Sequence, residues 1–116
     1  MTTREDVVHR YMEGFRRSDH EAILACLTDD VVWRIHGVRS TRGKAEFDDE
    51  IENPAFEGSP ELAVERTIDA GDVIVVTGTG SGRHRETGPF RFAYNDLFTF
   101  RGELIVQVDS YVVPLG

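Results

Sequence analysis

FRFAYNDLFTF, residues 90–100, places a ring at every even position but one: Phe90, Phe92, Tyr94, Phe98 and Phe100, with Asp96 between them. Side chains of a β-strand point alternately to its two faces, so these six share one face. A run of rings on one face predicts a strand with one strongly apolar side. The carboxyl group among them is the residue to explain.

Outward from this strand, the chain reads as strand on both sides. ELAVERTIDA (61–70) and DVIVVTGTG (72–80) precede it, joined by a turn at Ala70–Gly71–Asp72, and a loop, SGRHRETGP, leads into residue 90. Arg101–Gly102 turns the chain into ELIVQVDSYVV. Successive strands joined by short turns predict an antiparallel meander. Toward the amino terminus the period changes. Val7, Val8, Tyr11, Met12 and Phe15 recur at helical spacing, which predicts a helix over 4–17, capped by Thr2 with Glu5 or Thr3 with Asp6. Ser18 and Glu21 mark the start of a second, short helix. Val31, Trp33 and Ile35 alternate with Val32, Arg34 and His36, a short strand with its odd positions inward. GKAEFDDEIENP is expected to form an acidic third helix, stopped at Asn53–Pro54. Helices packed on one face of a sheet make an α+β fold.

The 116 residues fit one domain, and the net charge of −8 argues against nucleic acid, whose phosphates demand a basic surface. No apolar run reaches membrane-spanning length. The amino terminus lacks a signal-peptide core, and the single cysteine, Cys26, cannot form an internal disulfide, so a cytoplasmic location is expected. No His or Cys pair has metal-ligand spacing, and neither metal nor cofactor is expected. GTGSG (78–82) is followed by RHRETGP and a strand, where a dinucleotide site needs a helix N-terminus, so bulging or bending of a curved sheet is the expected role.

RYMEGFRRSDHEAILACLTDDVVW, RGKAEF and YNDLFTFRGELIVQVDSY, in this order and spacing, resemble the nuclear transport factor 2-like superfamily of ketosteroid isomerases, limonene epoxide hydrolases and SnoaL-like polyketide cyclases. The resemblance covers nearly the whole chain. It implies a single SnoaL-like domain over residues 1–116, a cone-shaped roll in which three helices at the N-terminal side pack on a curved, mostly antiparallel sheet. It also implies a pocket for a small, largely apolar organic ligand and a homodimer.

In the isomerases a first-helix Tyr and a protonated Asp on a late strand form the oxyanion hole. Tyr11 and Asp96 fall on those positions, and such an enzyme is a known example of a carboxylic acid kept neutral by an apolar site. The isomerase base aligns near Ile35, with His36 expected on the opposite face. The hydrolases use two late carboxylates, matched here by Asp96 and Asp109, and a bridging Arg, which is Tyr94 here; the Tyr and Asn that hold water are Trp33 and Ile35. The resemblance therefore implies Asp96, Asp109 and Tyr11 as catalytic residues and Trp33, Ile35, Phe92, Tyr94, Phe98 and Tyr111 as the substrate-binding wall. The expected function is a cofactor-independent isomerase, cyclase or hydrolase acting on a ketone, polyketide-like or terpenoid-like molecule. The alternative is a non-catalytic ligand-binding or dimerisation module. His9 and His20 are expected in solvent, and the Arg83–His84–Arg85 loop at a solvated hairpin tip.

Overall fold

A computed structural model describes residues 3–52, 54–58 and 60–115. The chain begins with α1 (Arg4–Arg17) and α2 (His20–Leu24), continues through β1 (Leu27–Ile35), β2 (Arg39–Arg42) and α3 (Gly43–Ile51), and ends with β3 (Glu61–Asp69), β4 (Val73–His84), β5 (Gly88–Arg101) and β6 (Leu104–Leu115). The strands form one six-stranded open sheet in the order β2-β1-β6-β5-β4-β3. All pairings are antiparallel except β1 with β6, which is parallel. No helix of the described residues is long and apolar enough to cross a membrane.

The helix starts follow from local hydrogen bonding. Thr3 accepts from the Asp6 N–H at 3.1 Å while Asp6 accepts from the Thr3 N–H at 3.0 Å, a reciprocal capping box. The competing Thr2 cap lies outside the described residues, as does Asn53. Ser18, expected to cap α2, instead ends α1 in the left-handed region at φ 53°, and Asp19 caps α2 by accepting from the Ala22 N–H. Helices α1 and α2 pack closely because Gly14 has no side chain: a Cβ there would lie 2.7 Å from Ile23 Cγ1. Arg4 ties the start of α1 to two hairpin turns, donating to the carbonyls of Gly71 and Gly102.

One core lies between the helices and one face of the sheet. Val7, Val8, Tyr11 and Met12 of α1 and Phe47 of α3 meet Val31, Ile74, Val76, Phe98, Ile105 and Val108 of the strands. The glycines of GTGSG belong to this face. Gly78, Gly80 and Gly82 pair directly with Tyr94, Phe92 and Phe90, and the β4–β5 register is unbroken. A Cβ on Gly80 would lie 2.3 Å from Phe92 Cζ, and one on Gly78 2.9 Å from the Tyr94 hydroxyl, so the rings of β5 lie across the bare backbone of β4. The irregularity expected near these glycines is in β3, whose pairing to β4 shifts between Val64 and Arg66.

Candidate functional site

The apolar face of β5 ends in open space rather than in solid core. A cavity of about 320 Å³ lies between α1, α3 and the concave face of the sheet. That volume is at the small end of the range for ligand sites, roughly 300–1,000 Å³. Tyr11, Met12 and Trp33 form its deep wall with Phe92, Tyr94, Asp96 and Ser110, whereas exposed Val38, Arg39, Gly58 and Arg83 frame its mouth. Phe90, Phe92, Tyr94 and Asp96 line this cavity from the one face that the alternation predicted for them. Phe98 and Phe100 continue the same face into the core.

Asp96 is the acid at the closed end. Burial disfavours its ionised form and pushes its pKa up to about 6, while the Ser110 hydroxyl, opposite it across β5–β6, acts to lower it. Tyr11 comes to the same end from α1. Its phenol is held well above the ordinary value, first by burial and then by the negative charge of Asp96, so it stays a proton donor. Its ring rests edge-on against Phe98 at 4.9 Å and 75°, which is the part Phe98 plays: support beneath the wall rather than contact with the cavity. Tyr94 is raised to about 12 by burial and then by Asp96, and its hydroxyl has no hydrogen-bond partner among the described residues.

The structure does not bring Asp109 and Tyr111 to the cavity. Asp109 is on the other face of the sheet, paired with His36 Nε2 at 2.9 Å and accepting from Gln107 Nε2 at 2.9 Å. Tyr111 stacks on the His36 ring at 4.2 Å and 5°. The cause is a bulge in β6: Phe100 pairs with Ile105 but Thr99 with Gln107, so one extra residue enters and the alternation changes phase. Ile105 points inward, and after the bulge the even positions Val108, Ser110 and Val112 do so, while Asp109 and Tyr111 turn out. Ser110 is thus a polar residue of the cavity's inner wall that sequence reasoning missed. The consecutive apolar residues Leu104, Ile105 and Val106 carry no period from which the phase could be read.

At the mouth, Arg39 pairs with Glu50 at 3.0 Å, joining β2 to the last turn of α3. Arg83 pairs with Glu57 at 3.3 Å. His84 accepts from the Glu86 and Thr87 N–H groups with Nδ1 and meets Phe56 edge-on at 5.1 Å, so it shapes the hairpin turn rather than standing free in solvent.

The model of the SnoaL-like domain matches residues 8–108. The chain belongs to the SnoaL-like domain family. Solved structures share the fold of this SnoaL-like domain at low sequence identity. A nuclear transport factor 2-like protein of unknown function from Burkholderia pseudomallei is 22% identical, with 95% of this chain and 90% of that one covered, at a TM-score of 0.85. A Xanthomonas campestris protein named as a candidate polyketide cyclase is 22% identical over 93% of this chain and 88% of its own, TM-score 0.79. An epoxide hydrolase of limonene-hydrolase type from M. tuberculosis is 17% identical over 91% and 79%, TM-score 0.78. A comparison with curated proteins returned no match.

Proposed function

We propose that this SnoaL-like domain is a cofactor-independent acid–base enzyme acting on a small, largely apolar molecule with an enolisable ketone, of polyketide-like or terpenoid-like skeleton. One observation carries the reading: a carboxyl group whose pKa is near neutrality stands at the closed end of an apolar cavity beside a phenol that keeps its proton. A general acid or base works best with a pKa close to the working pH. As carboxylate, Asp96 takes the proton from the carbon next to the carbonyl, and the electron pair moves onto the carbonyl oxygen. Tyr11 donates a hydrogen bond to that oxygen as its charge develops. The protonated Asp96 then returns the proton to a conjugated carbon, so nothing is gained or lost and no cofactor takes part. Trp33, Ile35, Phe92 and Tyr94 supply the walls that keep bulk water out. Asp109, on the outer face, has no part in this step. The proposal includes a cytoplasmic homodimer.

A non-catalytic binding module is the second reading. It is favoured by the lack of a second carboxylate at the closed end among the described residues. The experiment that decides is proton exchange and double-bond migration in a small β,γ-unsaturated cyclic ketone, followed by NMR in heavy water. Asp96→Asn is expected to lower the rate by about 10²-fold or more, with the fold intact by circular dichroism. A variant as fast as the wild type overturns the catalytic reading, and so does a wild type that binds the ketone without exchanging its protons.

A further inference from the structure

The closed end of the cavity holds a hydroxyl that the proposed reaction leaves unused. Ser110 is 6% exposed, lines the cavity, and sits directly opposite Asp96 in the β5–β6 register. Directly opposed residues of an antiparallel pair keep their Cβ atoms about 4.5–5.5 Å apart, so hydroxyl and carboxyl meet without backbone movement. From β1, the Trp33 indole Nε1–H donates to Ser110 Oγ at 3.0 Å. The indole is itself fixed, stacked on Phe47 at 4.6 Å and edge-on to Phe15 at 5.9 Å.

A serine hydroxyl has one proton to donate and two lone pairs, whereas an indole N–H can only donate. Trp33 therefore occupies a lone pair and offers the hydroxyl proton no acceptor. The acceptor that faces this proton directly across the strand pair is the Asp96 carboxyl, whose ionised form a bond from it would favour. We infer that Ser110 is the positioning residue of Asp96, oriented by the Trp33 indole so that its hydroxyl donates to the carboxylate and sets how readily that group takes up and releases a proton. The other titratable groups facing Asp96 are Tyr11 from α1 and Tyr94 from its own strand, both neutral; β4 contributes Val76 opposite it. No charged side chain competes with the hydroxyl in this role among those groups. Without the bond, burial alone would hold the carboxyl protonated further into the neutral range, and fewer molecules would carry the base.

The purpose assigned to this hydrogen-bond chain rests on the acid–base reading above, but its existence is testable without substrate. The experiment is an NMR titration of the aspartate side-chain carboxyl carbons in the whole, isotope-labelled protein, with Asp96→Asn assigning the Asp96 signal. Ser110→Ala is expected to raise the Asp96 midpoint by about one pH unit, a roughly tenfold higher proton affinity. Trp33→Phe is expected to raise it by less, since the hydroxyl remains but is free to turn. Ser110→Thr, which keeps the hydroxyl, is expected to stay at the wild-type midpoint. An unchanged midpoint in Ser110→Ala or in Trp33→Phe overturns the inference, as does an equal rise in Ser110→Thr. If one of the first two fails to fold, the other carries the test. A protein that shows these shifts yet turns over no ketone keeps the hydrogen-bond chain and rejects the catalytic reading.

Discussion

Asp96 is a cost to the fold at neutral pH. A carboxyl with a pKa near 3.8 when unfolded and about 6 when folded binds its proton more tightly in the native state. The stability linked to that proton is fully present below pH 3.8 and is lost as the pH rises through about 6. The difference is about two units, worth up to about 3 kcal/mol at about 1.36 kcal/mol per unit. Asp96→Asn is therefore expected to be more stable than the wild type at pH 7 by up to that amount, with the gain fading toward pH 4. Urea unfolding at both pH values checks this, and an equal gain at each would reject it. A variant that gains stability as it loses turnover is the pattern of a residue kept for function. Asp96, Tyr11, Trp33, Ile35, Phe92 and Tyr94 are residues that the family resemblance implies for the pocket, and the unbroken β4–β5 register, the simple period of β1 and the helical period of α1 keep them on its side. Ser110 could not be placed from sequence, since its inward direction depends on a bulge two turns of pleat earlier in the strand.

The same contrast holds for whole elements. Helix α1 was legible to its ends, because its apolar spacing and capping residues agree. Strand β2 carries no such signal: of Arg39–Arg42 only Thr41 is buried, so no apolar alternation marks it. The last four residues of β4, 81–84, read as a loop because they carry no apolar alternation, and the ring that lies over Gly82, Phe90, belongs to β5. Helix α3 has its own difficulty. Its last turn holds acids and no basic residue, against the partial negative charge of a helix C-terminus. Relief comes from outside. Arg39 pairs with Glu50, and His20 of α2 bonds Asp48 through Nδ1 and Glu52 through Nε2. His20, expected in solvent on its own, thereby joins α2 to the helix whose final turn borders the cavity mouth. Its pKa is raised, first by the bond to Asp48 and then by that to Glu52. A raised histidine contributes stability below its unfolded value, near 6.5, and loses it as the pH rises through the folded value. His20→Ala is expected to lower the urea midpoint at pH 6 and to do so less at pH 9. An effect of the same size at both would reject a charged tie between α2 and α3.

For the molecule as a whole, the hairpin sequence β3-β4-β5-β6 was legible because short turns join neighbours, whereas the parallel β1–β6 pairing joins segments far apart in sequence and left no local mark. That pairing completes a sheet whose two faces differ. Helices and cavity occupy one, and no element of the described chain packs over the other. Yet the outer face is not the polar surface expected of a strand side turned to water. Ile68, Val75 and Leu97 form one cross-strand row, and Ala93 and Val113 form another. Val113 is 59% exposed, Tyr111 43% and Leu115 37%, three apolar side chains in succession along β6. Large exposed apolar patches are uncommon on monomers, so this is the surface on which the proposed homodimer is expected to form, with about 800 Å² buried per partner in an interface of ordinary size. Val113→Arg places a charge in the middle of it without touching the cavity. Sedimentation at micromolar concentration is expected to show a dimer for the wild type and a monomer for the variant. The variant should also melt at a lower temperature that no longer depends on protein concentration, because a partner that binds only the folded chain stabilises it by mass action. A wild type that sediments as a monomer rejects the dimer and leaves the cavity chemistry untouched.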